Sequence, residues 1–156
     1  MALPPFQTLL DEYGGAVYGF LVASVGPADA DDCFQEACIA ALRSYRDLDH
    51  ASNLRAWLFT IAQRKAIDSH RARGRRAVPV AAVPEQSAPV TDLLDEGEPL
   101  WARVRALPEK QRAAVFLRSV ADLSYEEVAS VLRCSQDAAR RNVHEGLSAL
   151  RKEMAA

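Results

Sequence analysis

At 156 residues the chain has length for one domain or two small ones, and 49% hydrophobic residues supply material for real cores. No apolar run approaches a membrane span, and the start from Met1 to Phe6 lacks the basic and apolar segments of a secretory leader, so no membrane insertion and a cytoplasmic setting are expected. A net charge of −2 and a pI near 5.9 argue against a protein that grips nucleic acid tightly by itself.

The average hides a pattern. Residues 1–50 hold two basic and eight acidic side chains, and residues 51–78 hold seven basic and one acidic. Residues 79–101 hold five acidic and none basic; residues 102–156 hold ten basic and seven acidic. Each block alone reads as solvated helix surface, but four of alternating sign in sequence point to separate faces for separate partners.

In chain order, Phe6, Leu9, Leu10, Tyr13, Val17, Tyr18 and Leu21 recur at helical spacing and predict a first helix with one apolar stripe, broken at Gly26-Pro27. A second helix is predicted from about Ala28 to Tyr45, with Ala30, Phe34, Ala37, Cys38 and Ala41 inward. After a polar turn, a third takes Leu54, Trp57, Leu58, Ile61 and Ala62 inward and ends near Gly74 among arginines. Residues 77–100 read as a Pro/Ala-rich acidic linker, because Pro79, Pro84, Pro89 and Pro99 oppose regular structure. A short helical turn is expected near Thr91 to Leu94. The linker's acidity is read as solvation ahead of mimicry of nucleic acid in a basic channel.

The last third carries the most specific local signals. Leu100, Val104 and Leu107 form one face, Pro108 suits the start of a helix, and Ala113, Phe116, Leu117 and Val120 give that helix its stripe. Ser124 and Glu127 have the spacing of a capping box, with Leu123 and Val128 as its staple. Cys134-Ser135 makes a turn in which Ser135 caps the final helix. There Ala139, Val143, Leu147, Leu150 and Met154 repeat every three or four residues, so Arg140, Arg141 and His144 point away from the core. Two short helices and a tight turn read as a helix-turn-helix, whose second helix enters a DNA major groove.

Asp32, Gln35 and Glu36 fall at i, i+3 and i+4 and share one face of the second helix, a polar ridge with no apolar neighbour expected. The bland alternative is a solvated face whose Asp29, Asp31 and Asp32 complement the helix N-terminus. Cys33, Cys38 and Cys134 lack the spacing of a ligand pair and read as small hydrophobes. His50, His70 and His144 lie in different elements with no nucleophile, phosphate loop or metal-ligand spacing beside them, so neither catalysis, cofactor nor metal is expected.

Three motifs then resemble one family. Asp29-Ala-Asp-Asp-Cys-Phe-Gln-Glu36, Arg55-Ala-Trp-Leu-Phe-Thr-Ile-Ala62 followed by Ala66-Ile-Asp68, and Leu107-Pro-Glu-Lys-Gln-Arg112 through Leu123-Ser-Tyr-Glu-Glu-Val-Ala129 are similar to regions 2.2, 2.3–2.4 and 4 of the extracytoplasmic-function sigma factors. The resemblance covers roughly Phe6 to Lys152. It implies an all-α protein of two small helical domains: region 2 over residues 1–76, and the region 4 helix-turn-helix over residues 101–156. The function implied is that of an alternative sigma factor directing promoter-specific transcription initiation. Asp32, Gln35 and Glu36 would dock on the clamp helices of the polymerase's largest subunit, and region 4 would meet its flap. Asp47, His50 and Asn53, in the loop from Tyr45, would capture a flipped base of the −10 element, alongside phosphate contacts from Arg64, Lys65, Arg71, Arg73, Arg75 and Arg76. Trp57 is read as core packing ahead of base stacking. Ser135, Gln136, Arg140, Arg141 and His144 would meet the −35 element. An anti-sigma protein is the further partner implied.

The chain departs from the family at Asn142, Glu145 and Gly146. A carboxylate beside phosphates is repulsive, and a mid-helix glycine costs about 1 kcal/mol against alanine. Two rivals follow: a sigma-like decoy that binds an anti-sigma factor without starting transcription, and an ordinary helix-turn-helix repressor, for which the docking motif would be useless.

Overall fold

Helix boundaries follow local chemistry. Gly26 adopts φ 89°, a conformation glycine enters without a Cβ clash, and Pro27 then takes the first position of the next helix, where its missing N–H is no loss. The computed structural model describes residues 3–48, 53–76 and 98–155. Every regular element among them is a helix: α1 Phe6–Val25, α2 Pro27–Tyr45, α3 Leu54–Arg76, α4 Glu98–Ala106, α5 Glu109–Ser119, α6 Tyr125–Leu132 and α7 Gln136–Ala155. None is long and apolar enough to cross a membrane. The segment 77–97, with its expected turn at Thr91 to Leu94, lies outside the described residues. Helix α4 starts at Glu98, inside the stretch read as linker, so Pro99 falls in its first turn, where proline is tolerated.

The caps of the C-terminal half are those the sequence encodes. Ser124 Oγ accepts from the Glu127 N–H at 3.1 Å, and Glu127 Oε1 accepts from the Ser124 N–H at 2.8 Å. Ser135 Oγ accepts from the Ala138 N–H at 3.0 Å. Pro108 is the N-cap of α5 rather than its first residue. Arg133 closes α6 at φ 56°, the left-handed position usually given to glycine, and the Cys134 N–H returns to the Ala129 carbonyl at 3.0 Å.

The core spans both halves. Leu9, Val17, Phe20 and Leu21 of α1 pack with Ala30, Cys33, Ala37 and Ala41 of α2 and with Leu58, Phe59, Ala62 and Ala66 of α3; Phe116, Leu117, Leu123, Val128, Ala139 and Val143 continue the same cluster. Phe20 is the joint. Its ring lies 5.7 Å from Phe59 and 5.6 Å from Phe116, and Trp101 stands 5.7 Å beyond Phe116. Trp57 is half-buried with its ring 5.9 Å from Tyr45, a packing role.

A smaller apolar cluster of Val104, Leu107, Val115 and Leu150 joins α4, α5 and α7. Here Gly146 has a purpose that propensity hides: a Cβ on it would sit 2.5 Å from Val115 Cγ2. The glycine sets the approach of α5 to α7.

Candidate polymerase-docking and nucleic-acid interfaces

Asp32, Gln35 and Glu36 are all exposed on α2. The expectation of a purely polar ridge is corrected by two neighbours: Ile39 is 52% exposed and Leu42 48% exposed. At about 100° per residue they share the face of the acidic trio, so the ridge is mixed acidic and apolar, as interface cores are. Sequence reasoning had the signal, since Ile39 stands two turns from Asp32. A groove of about 500 Å³ runs between this ridge and α3, lined by Asp29, Asp32, Glu36, Asp68 and Arg73 among others.

Arg73 is drawn into that groove. Its Nη2 stands 2.6 Å from Asp29 Oδ2, pinning the end of α3 to the start of α2. Arg64 and Arg71 are exposed and, seven residues apart, share a face of α3, from which Arg73 is turned by more than a quarter-turn. The predicted arginine field is therefore split: Arg64 and Arg71 look one way, Arg73 toward the acidic ridge, with Lys65 half-buried between. The side chains of Arg75 and Arg76 and the whole of His50 lie outside the described residues. Asp47 is exposed in the turn after α2.

Asn53 is exposed at φ 51°, and its Oδ1 accepts from the Ala56 N–H at 3.2 Å, so it caps α3. Its side chain also lies near the Glu127 carboxylate and helps to hold that carboxyl's pKa down. Arg55 joins them, with Nη2 3.5 Å from the Asp122 carbonyl and 3.7 Å from Glu127 Oε1. Burial alone would raise the Glu127 pKa. Hydrogen bonds from the Ser124 backbone, Asn53 and the Ser124 hydroxyl, with the Arg55 charge, outweigh it and hold the carboxyl below its ordinary value. The capping box thus doubles as a tie between the halves. A second tie runs from Arg112, which donates to the carbonyls of Arg105 at 2.9 Å and Leu107 at 3.5 Å and meets His70 Nε2 at 3.5 Å.

On the helix-turn-helix, Ser135, Gln136, Arg140, Arg141 and His144 are all exposed. Two companions stand behind them that local spacing does not announce. The guanidinium of Arg118 lies 4.7 Å from the Tyr125 ring centroid and that of Arg140 lies 5.1 Å from it, while Arg118 Nη1 donates to the Leu123 carbonyl at 3.0 Å. One aromatic ring thereby orients two cations, one on the recognition helix. The clue was an aromatic residue opening α6 beside a basic helix end. Glu145, expected to repel phosphates, accepts from Gln111 Nε2 at 3.2 Å and so is tethered to α5.

The two basic faces converge. Gln63, Ile67, His70 and Arg71 of α3 stand across a cleft of about 550 Å³ from the α6–α7 turn and from Arg141 and Asn142. Burial raises the thiol pKa values of Cys33 and Cys38, which favours the protonated form at neutral pH. Among the described residues no group of His, Cys, Asp and Glu could hold a metal ion.

Comparison with known proteins decides the family. The Sigma-70 region 2 profile matches residues 9–76, and the Sigma-70 region 4 profile matches residues 97–150. The chain is 31% identical over 161 residues to the ECF RNA polymerase sigma factor SigX of Bacillus subtilis, covering 96% of this chain and 83% of that protein. The chain belongs to the ECF sigma factors. It is 37% identical over 137 residues to SigD of Mycobacterium tuberculosis, covering 81% of this chain but 64% of SigD, so it spans under two thirds of that relative. The fold resembles that of the sigma factor RpoE solved with the anti-sigma factor NepR from Bartonella quintana, with a TM-score of 0.79, 24% identity and 99% of each chain covered. It also resembles CnrH solved with the cytosolic domain of CnrY, with a TM-score of 0.72, 23% identity, and 96% and 87% covered.

Proposed function

We propose that the chain is a promoter-specificity factor that binds core RNA polymerase and recruits it to DNA, without catalysing a reaction itself, in the cytoplasm. The observation that carries this reading is the exposed ridge of Asp32, Gln35, Glu36, Ile39 and Leu42, a docking face that a DNA-binding repressor would not need. In this reading the ridge meets the clamp helices of the largest polymerase subunit, and the helix-turn-helix lies near the flap. Asn53, Asp47, Arg64, Lys65 and Arg71 attend the −10 element. Arg140, Arg141, His144, Ser135 and Gln136, with Arg118 and Tyr125 behind them, attend the −35 element. Arg73 serves the α2–α3 joint instead.

Elements about 25 base pairs apart are separated by roughly 85 Å of duplex at 3.4 Å per pair, yet Arg71 and Arg141 line one cleft. Promoter binding therefore requires the halves to part. The segment 77–97 reaches about 70 Å when fully extended, enough to permit most of that separation. An anti-sigma partner is the other expected ligand, supported by the partners named for the two structural neighbours.

Run-off transcription with purified core polymerase tests the proposal. Promoter-specific transcripts support it, and none at any promoter contradicts it. Arg140→Ala with Arg141→Ala should weaken promoter use and leave core binding intact. Ile39→Asp with Leu42→Asp should abolish core association first.

A further inference from the structure

The cleft between the halves has a composition that neither the docking ridge nor the DNA-reading helices explain alone. Arg71 projects from α3 on one wall, and Lys110, Arg133 and Arg141 project from the other, against one carboxylate, Glu109, among the described residues. Three surplus positive charges, with His70 beside them, gather in a chain whose net charge is −2. Cations converging across a shared cleft repel, which works against the Phe20–Phe116 and Arg55–Glu127 contacts that close it. A compact polyanion turns that repulsion into attraction. The walls suit more than a bare charge: Ile67, Leu132 and Ala138 are apolar, and the amides of Gln63 and Asn142 offer donors and acceptors. A volume of about 550 Å³ lies within the usual range of small-ligand sites, roughly 300–1,000 Å³, and is far too small for a duplex. The groove on the α2 side has the opposite character, with Asp29, Asp32, Glu36 and Asp68 facing one arginine, so the cationic surplus distinguishes this cleft from that groove.

We propose that this inter-half cleft binds a compact polyphosphate, borne on a nucleoside or as a short inorganic chain, and that the bound ligand holds the closed arrangement. It would draw Arg71 and Arg141 onto its own phosphates and thereby compete with promoter DNA for both. The site rests on the closed packing; only its effect on transcription rests on the proposed function.

Calorimetric titration of the full chain at low salt, with inorganic tripolyphosphate in one arm and a nucleoside triphosphate in the other, tests it. One saturable site per chain is expected, weakened more than about tenfold by Lys110→Glu with Arg133→Glu, as lost charge-assisted bonds dictate. Both side chains are exposed and outside the proposed DNA-reading set, and Arg133→Gln alone serves as a gentler variant with a several-fold loss. Tighter nucleotide binding would assign the apolar wall to a base, and tighter tripolyphosphate binding would assign the site to the inorganic chain. Absence of saturable binding overturns the proposal, as does an unchanged affinity in both variants, which would place the anion elsewhere. A chain that starts transcription but binds no polyphosphate loses this site and keeps its proposed function. A chain that binds polyphosphate at this site but starts no transcription does the reverse.

Discussion

The α2 ridge and the basic faces of α3 and α7, proposed here to read DNA, are treated differently by the same fold. Among the described residues the ridge has no intramolecular partner: Ile39 and Leu42 stand about half exposed beside Asp32, Gln35 and Glu36. The basic faces instead meet at one edge, where Arg71 and Arg141 line a shared cleft and Arg112 reaches His70. The difference implies an order of events. In the proposed reading the ridge is open to polymerase in the closed chain, whereas Arg71 and Arg141 can reach their separate promoter elements together only after the halves part.

The largest expected effect breaks the closed side and spares the ridge. Phe116 is 2% exposed and touches both Phe20 and Trp101, so Phe116→Ala should cost about 3–5 kcal/mol of unfolding free energy by denaturant titration. At a temperature where it remains folded, its affinity for core polymerase should stay near wild type. A parallel loss of core binding would show that the ridge depends on closure.

Next in size is Gly146→Ala. Helix propensity alone predicts stabilisation by about 1 kcal/mol. The 2.5 Å approach to Val115 predicts the opposite sign, a loss of roughly 1–3 kcal/mol from overpacking between α5 and α7. A melting temperature above wild type would overturn the close-approach reading.

The smallest effect is electrostatic. Glu127 is held below its ordinary 4.5, so its ionised form adds stability above that pH, and the contribution is lost as pH falls through the lower folded value. The stability gap between wild type and Glu127→Gln should be flat from neutral pH to about 5 and close under stronger acid, with a plateau of about 1 kcal/mol for a partly exposed pair. A gap that persists below pH 3 would assign the effect to packing.

Much of this was legible in the sequence because it is local. The 3.6-residue period fixed the helices, Ser124 with Glu127 and Ser135 announced their caps, and the outward aim of Arg140, Arg141 and His144 followed from Ala139 and Val143 pointing in. What escaped depends on partners distant in the chain. Gly146 looked like a defect until Val115 stood against it, and Glu145 looked repulsive until Gln111 claimed it. Arg73 belonged by composition to the DNA field, but Asp29, more than forty residues upstream, takes it. The meeting of Phe20 with Phe116 has no local signature, so two domains were legible while the core they share was not.

Energy transfer between dyes placed at exposed Gly15 and Lys152 of the full chain tests the account most directly. High transfer in the free protein that falls when core polymerase is added is the predicted result. Low transfer in the free chain, or high transfer unchanged by polymerase, would contradict it.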